Sequence, residues 1–143
     1  MFISYFDGYE VRPEFSKIYI SLWGNWLGKE NLHLLDKVSE EEWSRFNFLL
    51  SMINRQYKVG HVNCEAESIN FPRNIEGTFD NFNDYKNKDA SMFAKYIIPE
   101  LDCVITEEWD YTYILWHKGD AAIEALKGII AEAGLQYFSD LAS

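Results

Sequence analysis

Hydrophobic and polar positions alternate with period two just after residue 15, with Ile18, Ile20 and Leu22 on one face and Lys17, Tyr19 and Ser21 on the other. That pattern predicts a half-buried strand. Gly24-Asn25 interrupts it and Gly28 ends it, and an earlier strand is expected at residues 2–6, with a turn at Asp7-Gly8. The period lengthens at Ser39. Trp43, Phe46, Leu49, Leu50 and Ile53 recur at helical spacing, and Ser39 with Glu42 three residues later forms a capping-box pattern. Residues 39–54 therefore read as a helix, and the acidic run Glu40–Glu42 reads as its start.

Period two returns over residues 57–68, with Val62, Cys64 and Ala66 facing one way and His61, Asn63, Glu65 and Glu67 the other. Residues 71–88 look irregular and polar, either a functional loop or a mobile one. Asp89 can cap a short helix through Ile97 that Pro99 terminates. Residues 101–107 and 111–117 then predict a hairpin, whose turn at Glu108-Trp109-Asp110 lacks glycine. A last helix is expected from a cap at Asp120, with Ala122, Ile123, Leu126, Ile129, Ile130 and Ala133 as its stripe and Gly134 at C′. This order predicts an α+β fold: a mainly antiparallel sheet packed with two to three helices, as a single domain over residues 1–143.

Charge gives this frame a sign. The chain carries 23 acids against 13 Lys and Arg, a formal net charge of −10. A field of that sign repels nucleic acid and anionic membranes and attracts basic proteins, so neither nucleic acid nor membrane is expected as a partner. Solubility alone is the plainer account of such acidity. The start, M-F-I-S-Y-F-D-G, has no basic region, no apolar run reaches 18 residues, and Cys64 and Cys103 lie in apolar contexts. A cytoplasmic protein with reduced thiols is expected, without a signal peptide or membrane span.

Catalytic chemistry finds little support. The histidines are His33, His61 and His117, no nucleophile elbow or phosphate-binding glycine pattern occurs, and no metal-ligand spacing accompanies His61/Glu65 or His117/Asp120. Glu65 and Glu67 would share a strand face, a spacing that suits a solvated or Arg-binding surface as well as a glycosidase pair. The reading is a non-enzyme with no catalytic residue, metal or cofactor.

The strongest signal lies between residues 96 and 117, where Glu100, Asp102, Glu107, Glu108 and Asp110 alternate with Trp109, Tyr111, Tyr113 and Trp116, and no Lys or Arg intervenes. Strand parity puts Tyr111, Tyr113, Leu115 and His117 on one face of the second arm and Thr112, Ile114 and Trp116 on the other. Either the tyrosine face is wet or packed under the long loop, or its rings anchor an interface whose acids pair with Lys and Arg. Cys103, Ile105, Ile114 and Trp116 are candidate core. The expected partner-binding set is Glu107, Glu108, Trp109, Asp110 and Tyr111, with Glu65 and Glu67. Trp23-Gly24-Asn25-Trp26 reads first as core with a bulge at Gly24, and second as a binding platform.

In overall character (small, acidic, aromatic-rich, single-domain, without catalytic motifs) the chain resembles the immunity proteins that neutralise bacterial polymorphic toxins, including those of contact-dependent inhibition. The resemblance rests on no shared motif, so no functional residue carries over. It implies tight binding of one cognate toxin domain, often a basic nuclease. The alternative from the residues is a small-molecule or peptide-binding regulatory domain, with Trp23, Trp26 and the tyrosines lining a pocket.

Overall fold

The computed structural model describes residues 1–139. Strands β1 (Phe6–Asp7) and β2 (Glu10–Val11) form a small ribbon. Among the described residues the main sheet has seven strands: β3 (Ser16–Ser21), β4 (Gly60–Asn63), β5 (Ser68–Asn70), β6 (Lys95–Ile98), β7 (Cys103–Glu108), β8 (Thr112–His117) and β9 (Gln136–Phe138). Their order is β5-β4-β6-β7-β8-β3-β9, and every neighbouring pair is antiparallel. Helices α1 (Glu40–Gln56), α2 (Phe82–Asn87) and α3 (Asp120–Glu132) complete an α+β fold.

Helices α1 and α3 close one face of the sheet. The α1 cap is the predicted one: Ser39 Oγ accepts from the Glu42 N–H at 3.1 Å, while the Glu42 carboxylate accepts from the Ser39 N–H at 3.1 Å. Phe46, Leu49, Leu50 and Ile53 from α1 and Leu126, Ile129 and Ile130 from α3 pack on Ile18, Ile20, Tyr96, Cys103, Ile105, Tyr113 and Leu115. Each buried Leu or Ile there contributes about 2 kcal/mol. Asp120 is the first residue of α3 and Gly119 its cap. Gly134, at φ 80°, ends the helix as expected, with the Leu135 N–H returning to the Ile130 carbonyl at 3.1 Å.

The other face is covered only in part. The N-terminal residues Phe2, Tyr5, Phe6 and Phe15 pack on Val62, Ile97, Val104 and Trp116. Residues 2–4 form a 3-10 turn rather than the start of a strand, and the two short strands flank Gly8 at φ 64°. Toward the β7–β8 turn the sheet is instead overhung by residues 23–35, which include a 3-10 run at Lys29–Lys37.

Three further expectations differ from the observed elements. Residues 89–97 are not a helix: Asp89 caps a single 3-10 turn, Ala90–Met92, and β6 follows. Ile97 and Ile98 are β-branched and precede Pro99, which favours extended backbone, and both are fully buried. The strand expected to reach Ser68 stops at Asn63, whose Oδ1 accepts from the Ala66 N–H at 3.1 Å and turns the chain. Residues 71–88 contain order that period and composition hide. Ile75 is fully buried and its N–H donates to Asn54, Thr78 bonds Tyr96 at 2.9 Å, and α2 packs Phe82 and Tyr85 on Trp43.

Candidate functional site

Strand β7 separates its last two carboxylates. Glu107 pairs with Tyr113 and points to the helix-covered face, where it is buried. Its carboxylate accepts from Lys88 Nζ at 2.6 Å and from the Ala94 N–H at 2.9 Å. Lys88 is itself buried and also pairs with Asp80 at 2.5 Å. Lys88 thus locks the 79–94 segment onto β7, and Glu107 is consumed by the fold. The expectation that it faces a partner is corrected, because a carboxylate held this way has no free surface.

Glu108 pairs with Thr112 and points the other way. Its Oε2 accepts from the Thr106 hydroxyl at 2.9 Å, and Thr106 Oγ1 accepts from Trp116 Nε1 at 2.9 Å. The chain of donors fixes the carboxylate's direction, and no hydrogen bond among the described residues engages its second oxygen.

Beyond Glu108 the hairpin turns through residues 109–111. Asp110 and Tyr111 both lie in the left-handed region, at φ 60° and 55°. Asp adopts that region readily, whereas a bulky ring does so at a cost of about 1–2 kcal/mol. Contacts hold the turn in place: Tyr111 packs on Tyr85 at 5.4 Å, and Thr112 Oγ1 donates to the Asp110 carbonyl at 3.2 Å. Burial, and then the nearby Glu107, push the Tyr85 hydroxyl well above its ordinary value. Burial, and then Asp36, raise Tyr111. Tyr111 is therefore half-buried support, while Trp109 is 58% exposed and touches Phe93 edge to face at 4.8 Å.

Trp109 borders a cleft of about 340 Å³ on the open face of the sheet. Tyr19, Ser21, Thr112 and Ile114 form its floor, in adjacent rows of β3 and β8. Residues 23–35 supply Trp23, Trp26, Leu32 and Leu35 as the facing wall, and Glu108 and Asp110 lie at the hairpin end. Strand β3 ends at Ser21, so Gly24 sits in a bend beyond the strand rather than in a bulge; Trp26 is 51% exposed. A cleft of this volume falls in the range of ligand sites.

Of the expected set, the structure brings together Glu108, Trp109 and Asp110, places Tyr111 behind them and buries Glu107. Glu65 and Glu67 are exposed in the β4–β5 turn, with Glu67 at φ 51°, so they do not share a strand face. Phe93 and Lys95 line a second cleft with Trp109 and a third with Glu65, and so stand between that turn and the hairpin tip. Sequence reasoning missed Tyr19, Leu32 and Leu35. Tyr19 carried a signal, as the aromatic residue on the polar face of β3, but its meaning depended on the unseen β3–β8 pairing.

The three histidines stand apart from one another. His33 is exposed in the 3-10 run, His61 is half-buried on β4 with burial lowering its pKa, and His117 is buried against the Gly119 carbonyl at 3.0 Å. Among the described residues no group of three or more His, Cys, Asp and Glu could hold a metal ion. Cys64 and Cys103 are both free and pack into cores on opposite faces of the sheet. Among the described residues no helix is long and apolar enough to cross a membrane. No protein-family model, no curated protein and no solved structure matches the chain.

Proposed function

We propose that this is a non-catalytic cytoplasmic protein that binds and neutralises a cognate basic toxin domain, such as a nuclease, in the manner of a polymorphic-toxin or contact-dependent-inhibition immunity protein. One observation carries the reading. At the hairpin tip and its cleft, Glu108, Asp110 and three tryptophans line one surface, and among the described residues no Lys, Arg or His lines it with them. The net charge of −10 would steer a basic partner toward the protein, and the desolvated rings would slow its release. The carboxylates would stand where substrate phosphates bind on a nuclease. Co-expression with the product of the adjacent gene tests it: a stable complex and protection from that product's toxicity are expected. Failure to bind or protect removes the reading.

The cleft's volume favours one alternative, a regulatory domain binding a small molecule or peptide. In that case the purified protein would bind a low-molecular-mass ligand tightly, and no adjacent-gene product would compete for the site.

A further inference from the structure

The rings around the cleft are arranged as walls and floor. Trp26 meets Tyr19 at 4.6 Å and 62°, and Phe138 at 5.0 Å and 84°. Its indole therefore stands up from the ring floor instead of lying on it. Trp109 stands at the hairpin end, held by Phe93 at 74°. Glu108 lines the cleft at that same end, its carboxylate accepting from the Thr106 hydroxyl at 2.9 Å. Aromatic faces with the Glu108 and Asp110 carboxylates, and no lysine, arginine or histidine among the described lining residues, are complementary to an organic cation. The adjoining cleft on the same sheet face shares Glu108 and Trp109 and adds Lys17 and Lys95.

An ammonium would satisfy the charge alone. A guanidinium also stacks flat on an indole and forks onto a carboxylate, and it sheds water more readily. We infer that the cleft is an aromatic cage for an arginine side chain presented by the protein partner. Its volume of about 340 Å³ leaves room for an apolar neighbour of that arginine against Leu32 and Ile114. The inference rests on the interaction reading above for the source of the arginine, but its chemistry can be tested without any toxin.

The experiment titrates the full chain with Ac-Leu-Arg-Leu-NH2, following the tryptophan indole N–H resonances by NMR. Matched peptides with citrulline or lysine in the central position, and tetramethylammonium, are run in parallel. Saturable shifts of the Trp26 and Trp109 resonances by the arginine peptide are expected at up to millimolar concentration, with citrulline inert. Glu108→Gln keeps the acceptor for Thr106 and removes the charge; it should weaken the arginine peptide roughly tenfold. Trp26→Leu, at a half-exposed position, should weaken it similarly. Equal shifts by citrulline, stronger binding of lysine or tetramethylammonium, or no saturable shift would each overturn the assignment. If instead the adjacent-gene product binds and Trp26→Leu leaves its affinity unchanged, the cage falls and the interaction reading stands.

Discussion

Glu107 and Glu108 follow each other along β7 and meet opposite environments. Glu107 enters the face closed by α1 and α3, where Lys88 and a backbone N–H satisfy it. Glu108 enters the open face, where a threonine orients it beside a cleft. The same contrast holds for the two faces of the sheet as wholes. The closed face is a continuous apolar core, whereas the open one is capped by the N-terminal residues and left hollow toward the hairpin tip. In such a sheet, side-chain parity decides whether an acid builds the fold or remains available to a ligand.

The contrast can be broken hardest at Lys88. Lys88→Met leaves Glu107 buried without a cation and should cost about 3 kcal/mol, read as a lower urea midpoint. The double variant Lys88→Met/Glu107→Leu should recover much of that loss, because an apolar pair of similar volume replaces the ions. If both are equally unstable, the pair is not what ties residues 79–94 to β7.

High pH should attack the closed face next. Burial holds the Tyr96 hydroxyl at about 12 against an ordinary 10.0, and burial raises the buried Tyr113 as well. The unfolded state then releases protons before the native state does. Stability is complete below pH 10 and falls as pH climbs toward 12. Phenolate absorbance from these tyrosines should appear together with loss of circular dichroism. Smooth ionisation near pH 10 with the fold intact would contradict their burial.

The open face should be far less sensitive. Trp109→Ala, at a residue 58% exposed, should move the unfolding free energy by no more than about 0.5 kcal/mol. A loss comparable to that of Lys88→Met would make Trp109 a structural residue. The smallest effect concerns the thiols. Cys64 is half-buried, while Cys103 is fully buried with its thiol pushed up to about 12. A thiol reagent should label Cys64 in the native protein and Cys103 only after unfolding, as read by peptide mass.

Much of this was legible in the sequence wherever the signal is local. The Ser39/Glu42 box, the stripes of α1 and α3, Gly134 and the β7–β8 hairpin each depend on neighbours within a turn or a pair of strands. What stayed hidden was non-local. Alternation separates Glu107 from Glu108 but does not say which face helices will cover, and Lys88 lies 19 residues away. The β4 turn was masked because Glu65 and Glu67 continue the alternation past Asn63, whose side chain ends the strand. The cleft joins β3, residues 23–35 and the tip of β8, which only the folded sheet order brings side by side.

Under the proposed function the open-face tip, and not the other acids, binds the partner. Calorimetric titration of the adjacent-gene product against the wild type, Trp109→Ala and Glu65→Ala/Glu67→Ala tests it most directly. Trp109→Ala is expected to weaken binding by roughly thirtyfold or more, while the Glu65/Glu67 variant stays within about threefold of the wild type. Unchanged affinity in Trp109→Ala, with binding lost in the Glu65/Glu67 variant, would contradict it.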